Sequence, residues 1–258
     1  MEQKRTHALA WTACAFTLIA GLTTACLNPI IGTGGTGRPN GNPIDTHDLN
    51  VKWRKSGWRF LLPGARDEPN FGLYSYVLWA EPPSAARAPA FLKTIESIVE
   101  TTVKVPNEGS RSTRSLNVIT FPVTEPPYVG GKPKKIAADM FEHYDTTRGA
   151  QFLQLLSNRP LTRGPYICST TSPLTSATNL DHYLFQDLSV VEPEAIPTYI
   201  RTFKEQAAKT EFWVPDRMEQ FADGLRNALA VLSQGGRRFA QAIQALGYFE
   251  FSGRRSAT

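Results

Sequence analysis

Apolar positions along the chain recur with two periods, and the change of period marks its elements. Residues 51–62 (VKWRKSGWRFLL) and 71–80 (FGLYSYVLWA) are aromatic and β-rich, with PGARDEPN lying between them. This pattern predicts two strands joined as a long hairpin. In 89–103, Phe91, Leu92, Ile95, Ile98 and Val99 fall at helical spacing. LNVITFPV (116–123) reads as a strand, and Pro122 places it at a sheet edge or near its own end. Helices are expected over 136–144 and 148–156, the second with Phe152, Leu155 and Leu156 as its core face. Strands follow at 164–171 and 182–191, then helices at 193–208, 216–232 and 237–246. Asp216 is placed to cap a helix whose apolar face is Phe221, Leu225, Leu229 and Leu232.

The resulting order, ββαβααββααα, shows no internal repeat and no Gly-rich phosphate loop. It predicts an α+β domain with an antiparallel or mixed sheet, packed helices and a helical C-terminal part. An α/β sandwich is the alternative, because 73–123 has the layout of a βαβ unit. No linker interrupts the sequence after residue 50, so residues 49–258 are read as a single globular domain.

The N-terminus follows other rules. Lys4 and Arg5 precede a run without charge from Ala8 to Ala25 that ends in small residues before Cys26. A short basic region, an apolar core and a small-residue end are the parts of a secretory signal peptide, here residues 1–25. Leu22-Thr23-Thr24-Ala25-Cys26 resembles the lipobox of bacterial lipoprotein precursors, with Thr23 standing where leucine is usual. The resemblance implies cleavage before Cys26, with diacylglycerol on its thiol and an acyl chain such as palmitate on its new amine. Leu27 follows, not the aspartate that retains many such proteins at the inner membrane, and this favours the outer membrane. The alternative is ordinary secretion to the periplasm after cleavage behind Ala25. Residues 26–48 are rich in Gly, Pro, Asn and Thr and poor in large apolar groups, the composition of a flexible tether. A chain of about 20 such residues spans roughly 25 Å on average.

The charge balance, 28 Lys+Arg against 23 Asp+Glu, is local in origin. Residues 111–163 carry eight basic groups, among them Arg111, Arg114, Lys132, Lys134, Lys135, Arg148, Arg159 and Arg163, against four acidic ones. In an envelope, the electrostatic match is an anionic headgroup, polymer or envelope protein, and nucleic acid is not expected. A second candidate binding cluster joins Trp53 and Trp58 to Lys52, Arg54, Lys55 and Arg59, followed by Tyr74, Tyr76 and Trp79.

Candidate chemistry is sparse. With Cys14 removed and Cys26 lipidated, Cys168 is the last thiol of the mature chain. The tempting constellation is Cys168 as nucleophile with His182 as base and Asp181 or Asp187 orienting it, His143 being an alternative base. Asp139 and Glu142 share a helix face and form a possible general-acid pair. These would make an envelope hydrolase, the alternative to the leading expectation of a non-enzymatic binding module. No Cys/His spacing suits zinc, and neither a metal nor any other cofactor is expected.

The anchor yields the first prediction. Cys26→Ser should abolish acyl labelling and leave no membrane-bound mature product of wild-type size. Metabolic palmitate labelling and fractionation would read it. A membrane-bound product of wild-type size would overturn the lipoprotein reading.

Overall fold

Alternation along buried strands sorts this protein into two unequal layers about one sheet. The computed structural model describes residues 56–105, 113–156, 161, 163–177, 182–233 and 239–250. The signal segment, Cys26, the tether, Trp53 and Asp181 lie outside the described residues. The strands are β1 (Ser56–Leu61), β2 (Leu73–Leu78), β3 (Val103–Lys104), β4 (Asn117–Pro122), β5 (Tyr166–Thr170), β6 (His182–Asp187) and β7 (Leu246–Glu250). The helices are α1 (Ala88–Thr101), α2 (Pro133–Glu142), α3 (Thr146–Leu156), α4 (Ile196–Ala207), α5 (Met218–Ser233) and α6 (Ala240–Ala245).

The strands form one mixed sheet in the order β3-β1-β4-β2-β5-β6-β7. β3, β1, β4 and β2 are mutually parallel, and β5, β6 and β7 continue the sheet antiparallel. The α+β expectation therefore holds in its mixed form, with helices packed on the sheet and a helical C-terminal stretch. The hairpin does not: β4 lies between β1 and β2 and pairs in parallel with both. Both strands are buried on both faces, as central parallel strands are, so their sequences lack the alternation that marks a hairpin exposed on one side. Pro122 ends a central strand and costs the ladder little there.

One face carries Trp58, Leu73, Val77, Ile119, Phe121, Ile167 and Leu184 against α1, α2, α4, α5 and α6. Phe91, Ile95 and Ile98 of α1, Tyr199, Ile200 and Phe203 of α4, and Phe221, Leu225 and Leu229 of α5 supply the facing stripes. The other face carries Leu61, Tyr74, Tyr76, Leu78, Val118, Tyr166, Cys168, Tyr183 and Phe185, covered by α3 and by loop residues Phe71 and Leu174. Three expectations shift here. On α3, Leu153 packs inward while Leu155 is exposed. Leu232 of α5 is exposed. Asp216 lies within a 3-10 turn, Pro215–Arg217, that leads into α5. The strand β7, unforeseen, follows α6 without an intervening turn. Among the described residues, no helix is long and apolar enough to cross a membrane.

The junction of α2, α3 and β2 is closely packed. The Tyr144 ring stacks on Trp79 with centroids 3.3 Å apart, and its hydroxyl accepts from the Trp79 amide (3.1 Å) and donates to the Val77 carbonyl (3.2 Å). Burial pushes this phenol far up, so it keeps its proton. Gly149 of α3 sits against the same place, where an added Cβ would lie 2.2 Å from the Trp79 carbonyl oxygen. Gly→Ala inside a helix ordinarily stabilises by about 1 kcal/mol. Overpacking against fixed backbone costs typically about 1–3 kcal/mol. Gly149→Ala should therefore lower the melting temperature in thermal denaturation. A rise would show that α3 can lift off Trp79 freely.

Candidate binding groove and its buried support

The connection from β1 to β2 crosses the α3 face of the sheet because a carboxylate is buried in its middle. Arg59 of β1 faces this side, and its guanidinium lies 2.5 Å from Asp67 Oδ1, with both side chains almost wholly buried. Asp67 Oδ2 accepts from the Tyr76 hydroxyl (2.7 Å) and the Thr175 hydroxyl (3.0 Å). The Asp67 amide donates to Thr175 Oγ1 (2.9 Å), and the Leu174 amide donates to the Tyr76 hydroxyl (2.9 Å). Burial, then the neighbouring Asp67 carboxylate, pushes the Tyr76 phenol well above its ordinary value, which keeps it a donor. Two loops, the one after β1 and the one after β5, are thus locked together over the sheet. Arg148 of α3 adds to the lock, its guanidinium donating to the Leu62 and Ala65 carbonyls. Arg148 also borders a shallow depression of about 390 Å³ with Arg66, Gln151 and Thr175.

Beyond the lock, the same loops wall an open groove of about 630 Å³. Phe71 and Tyr74 line it, meeting edge to face with centroids 5.7 Å apart. The Tyr74 hydroxyl accepts from the Phe71 amide (3.2 Å) and donates to the Glu68 carbonyl (3.0 Å), which fixes this bend. Asn70 adopts φ 77° there, a left-handed conformation that asparagine tolerates. The half-buried Trp213 closes one side. Its indole N–H donates to the Ala207 carbonyl (2.9 Å), and its ring lies on Gly72 so closely that an added Cβ would meet it at 2.1 Å. Arg114, exposed, and the hydroxyl-bearing Thr171, Ser176 and Thr210 complete the lining. The groove thus offers an aromatic plane, a cation and neutral hydrogen-bonding groups.

The residues singled out from sequence are scattered. Cys168 is fully buried, and desolvation pushes its thiol far above the usual range. It pairs across to Phe185, so it shares a face with Tyr183 and Phe185, whereas His182 belongs to the opposite face with Leu184. The structure does not bring thiol and imidazole together. Asp187 accepts from the Ser189 amide (2.7 Å) and caps the 3-10 turn after β6. His143 has Nε2 3.0 Å from Glu125 Oε1 and Nδ1 2.8 Å from the Asp139 carbonyl. The Asp139 carboxylate accepts from the Tyr128 amide, while Glu142 is exposed. Among the described residues, no group of three or more His, Cys, Asp or Glu is arranged to hold a metal.

Trp58 is 3% exposed and packs in the core, so it offers no binding surface; Tyr74, Tyr76 and Trp79 are buried with it. Lys132, Lys134 and Lys135 are exposed at the start of α2, and none of them lines the groove. Trp213 and Gly72 were missed. The available signal was a tryptophan in a polar inter-helix segment, KTEFWVPD, but nothing local ties it to residue 72.

Breaking the buried pair from one side should be far worse than removing it whole. Asp67→Asn leaves Arg59 without a counter-charge, a loss of about 3–5 kcal/mol. The double variant Arg59→Met/Asp67→Leu should lose clearly less in urea denaturation, since no charge remains stranded. Equal losses would mean that the loop lock does not depend on charge pairing.

Compared with protein-family models, curated proteins and solved structures, the chain finds no match in any of the three.

Proposed function

We propose that this is a lipid-anchored protein of the bacterial envelope whose domain binds an anionic polymer of that compartment, and does so without turning it over. The observation that carries the binding half is the groove beside Trp213 and Arg114. Its volume, about 630 Å³, lies in the range of small-ligand sites, enough for a few sugar units of a longer chain. An indole plane offers stacking to the apolar face of a sugar ring. Arg114 offers a planar fork to a carboxylate or phosphate. Thr171, Ser176 and Thr210 offer exchangeable hydroxyl contacts to sugar hydroxyls. The buried Arg59–Asp67 network supports the reading by holding the groove's wall rigid before any ligand arrives, which lowers the ordering cost of binding. The anchoring half rests on Leu22–Cys26 and the composition of residues 27–48. The outer membrane is the proposed site of attachment, from Leu27.

Tryptophan fluorescence with acidic oligosaccharides, such as oligogalacturonates, tests the groove against neutral dextrins. The acidic series should bind and the neutral series should bind weakly or not at all. Arg114→Glu should weaken acidic binding by at least about tenfold, the value of one charged hydrogen bond, with the melting temperature unchanged because Arg114 is exposed. Acidic binding that ignores this substitution would overturn the assignment of the groove.

A further inference from the structure

Resting on the anchored reading, we infer that the loop and first helical turn from Tyr128 to Lys135 form the face that lies on an anionic lipid surface. This segment joins two exposed apolar side chains to three exposed lysines, where the comparable pair Val103 and Lys104 has only one. Tyr128 is 53% exposed and Val129 37% exposed, side by side at the loop. Lys132, Lys134 and Lys135 follow within the next seven residues, all exposed. None of the three makes an ion pair among the described residues, whereas the nearby acids are engaged: Glu125 with His143, and Asp139 with the Tyr128 amide and His143. Lys135 instead holds its ammonium 4.6 Å from the Tyr128 ring centroid, so cation and aromatic ring form one unit.

Tyrosine with neighbouring lysines is the side-chain set that settles at the headgroup level of a bilayer, ring toward the acyl boundary and ammonium groups among phosphates. Charge alone raises partitioning roughly fivefold per lysine near an anionic surface, and three act together for about a hundredfold. That is weak for a protein free in solution. It suffices for one already tethered, because a short flexible linker keeps the local concentration of the partner surface in the millimolar range. A lipid anchor needs such a second contact only to set orientation, and this segment would set it.

The full lipidated protein carrying Val129→Cys, labelled there with an environment-sensitive fluorophore, tests this directly. Buried Cys168 is left unlabelled. Leu155→Cys, on the exposed side of α3 across the sheet, gives a reference position. The protein is reconstituted on phosphatidylcholine vesicles with or without phosphatidylglycerol, each containing nitroxide-labelled lipid. The expected result is quenching at 129 but not at 155 on the anionic vesicles, relieved by high salt and by combined Lys132→Glu, Lys134→Glu and Lys135→Glu. Co-sedimentation with vesicles should survive all of these changes. Co-sedimentation without quenching at 129, or equal quenching at 129 and 155, would overturn the inference. So would a soluble acidic oligosaccharide that shifts the probe at 129 without vesicles, since the patch would then belong to a polymer. Failure to co-sediment at all would overturn the anchored reading, and the inference with it.

Discussion

The ion pair of Arg59 and Asp67 is the constraint on which the outer half of this structure turns. A guanidinium and a carboxylate removed from water stand in a low-dielectric interior only if nearly every remaining polar atom is met. Asp67 meets this condition through Tyr76 and Thr175, but Arg59 Nε finds no partner among the described residues, and the Phe71 ring centroid lies 5.2 Å from its guanidinium carbon. The pair is therefore costly, and its return is specificity of path. The chain between β1 and β2 has no pairing partner of its own to dictate where it runs. Burial of Asp67 in its middle forces it across the α3 face, and the bond to Thr175 draws the loop after β5 to the same point. The groove beside Trp213 exists because these two loops are held together.

This arrangement follows from the asymmetry of the sheet. One face is sealed by α1, α2, α4, α5 and α6, whose apolar stripes close over a neutral buried polar set, Ser56, Ser75, Asn117 and Ser169, joined by its own side-chain hydrogen bonds. The other has α3 and loops, and there the buried polar groups include a charged pair: Arg59 and Asp67 lie on that side with Thr120 and Thr170. Binding chemistry concentrates where a rigid sheet supports loops. Gly72, Arg114 and Thr171 stand at the same end of the sheet, because β2 and β4 start there and antiparallel β5 finishes there. Topology thus gathers into one groove three positions far apart in sequence.

Helices were the most legible part of the sequence, because their apolar stripes repeat over three or more turns. Phe91–Ile95–Ile98 and Phe221–Leu225–Leu229 specify their buried faces without any knowledge of partners. The stripe misled at two points: at the end of α5, where Leu232 is exposed, and at α3, where Leu153 and Leu155 are both apolar and the choice between them depends on where Gly149 docks against Trp79. Strand existence was legible for β1, β2, β4, β5 and β6, but pairing was not, since a strand buried on both faces carries no mark of its neighbours. The strand β7 begins at the residue after α6, so no turn residue separated it from the helix. The site was less legible still. Trp58 looked like a surface aromatic because charged residues flank it, yet alternation turns it into the helical layer and sends Arg59 to the opposite side. Trp213 and Gly72 touch across 141 residues, a contact that only the assembled sheet creates.

The proposed anchor adds a geometric consequence to this fold. On the anchored reading, a flexible stretch of about 20 residues would reach roughly 25 Å on average, against a radius of gyration near 17 Å expected for a body of about 210 residues. Such a tether would be shorter than the body is wide. A domain held as proposed would rotate with some part of its surface always within contact range of the headgroups. Orientation is then decided by small differences between faces and not by strong binding at any of them. Lys132, Lys134 and Lys135, which form no ion pair among the described residues, would with exposed Tyr128 bias such a contest more than Arg114 at the groove. The groove and the lysine segment share no residue, so contact at one leaves the other chemically unoccupied. On this reading, the fold commits a buried ion pair to shaping the candidate groove and leaves orientation to weak, screenable charge.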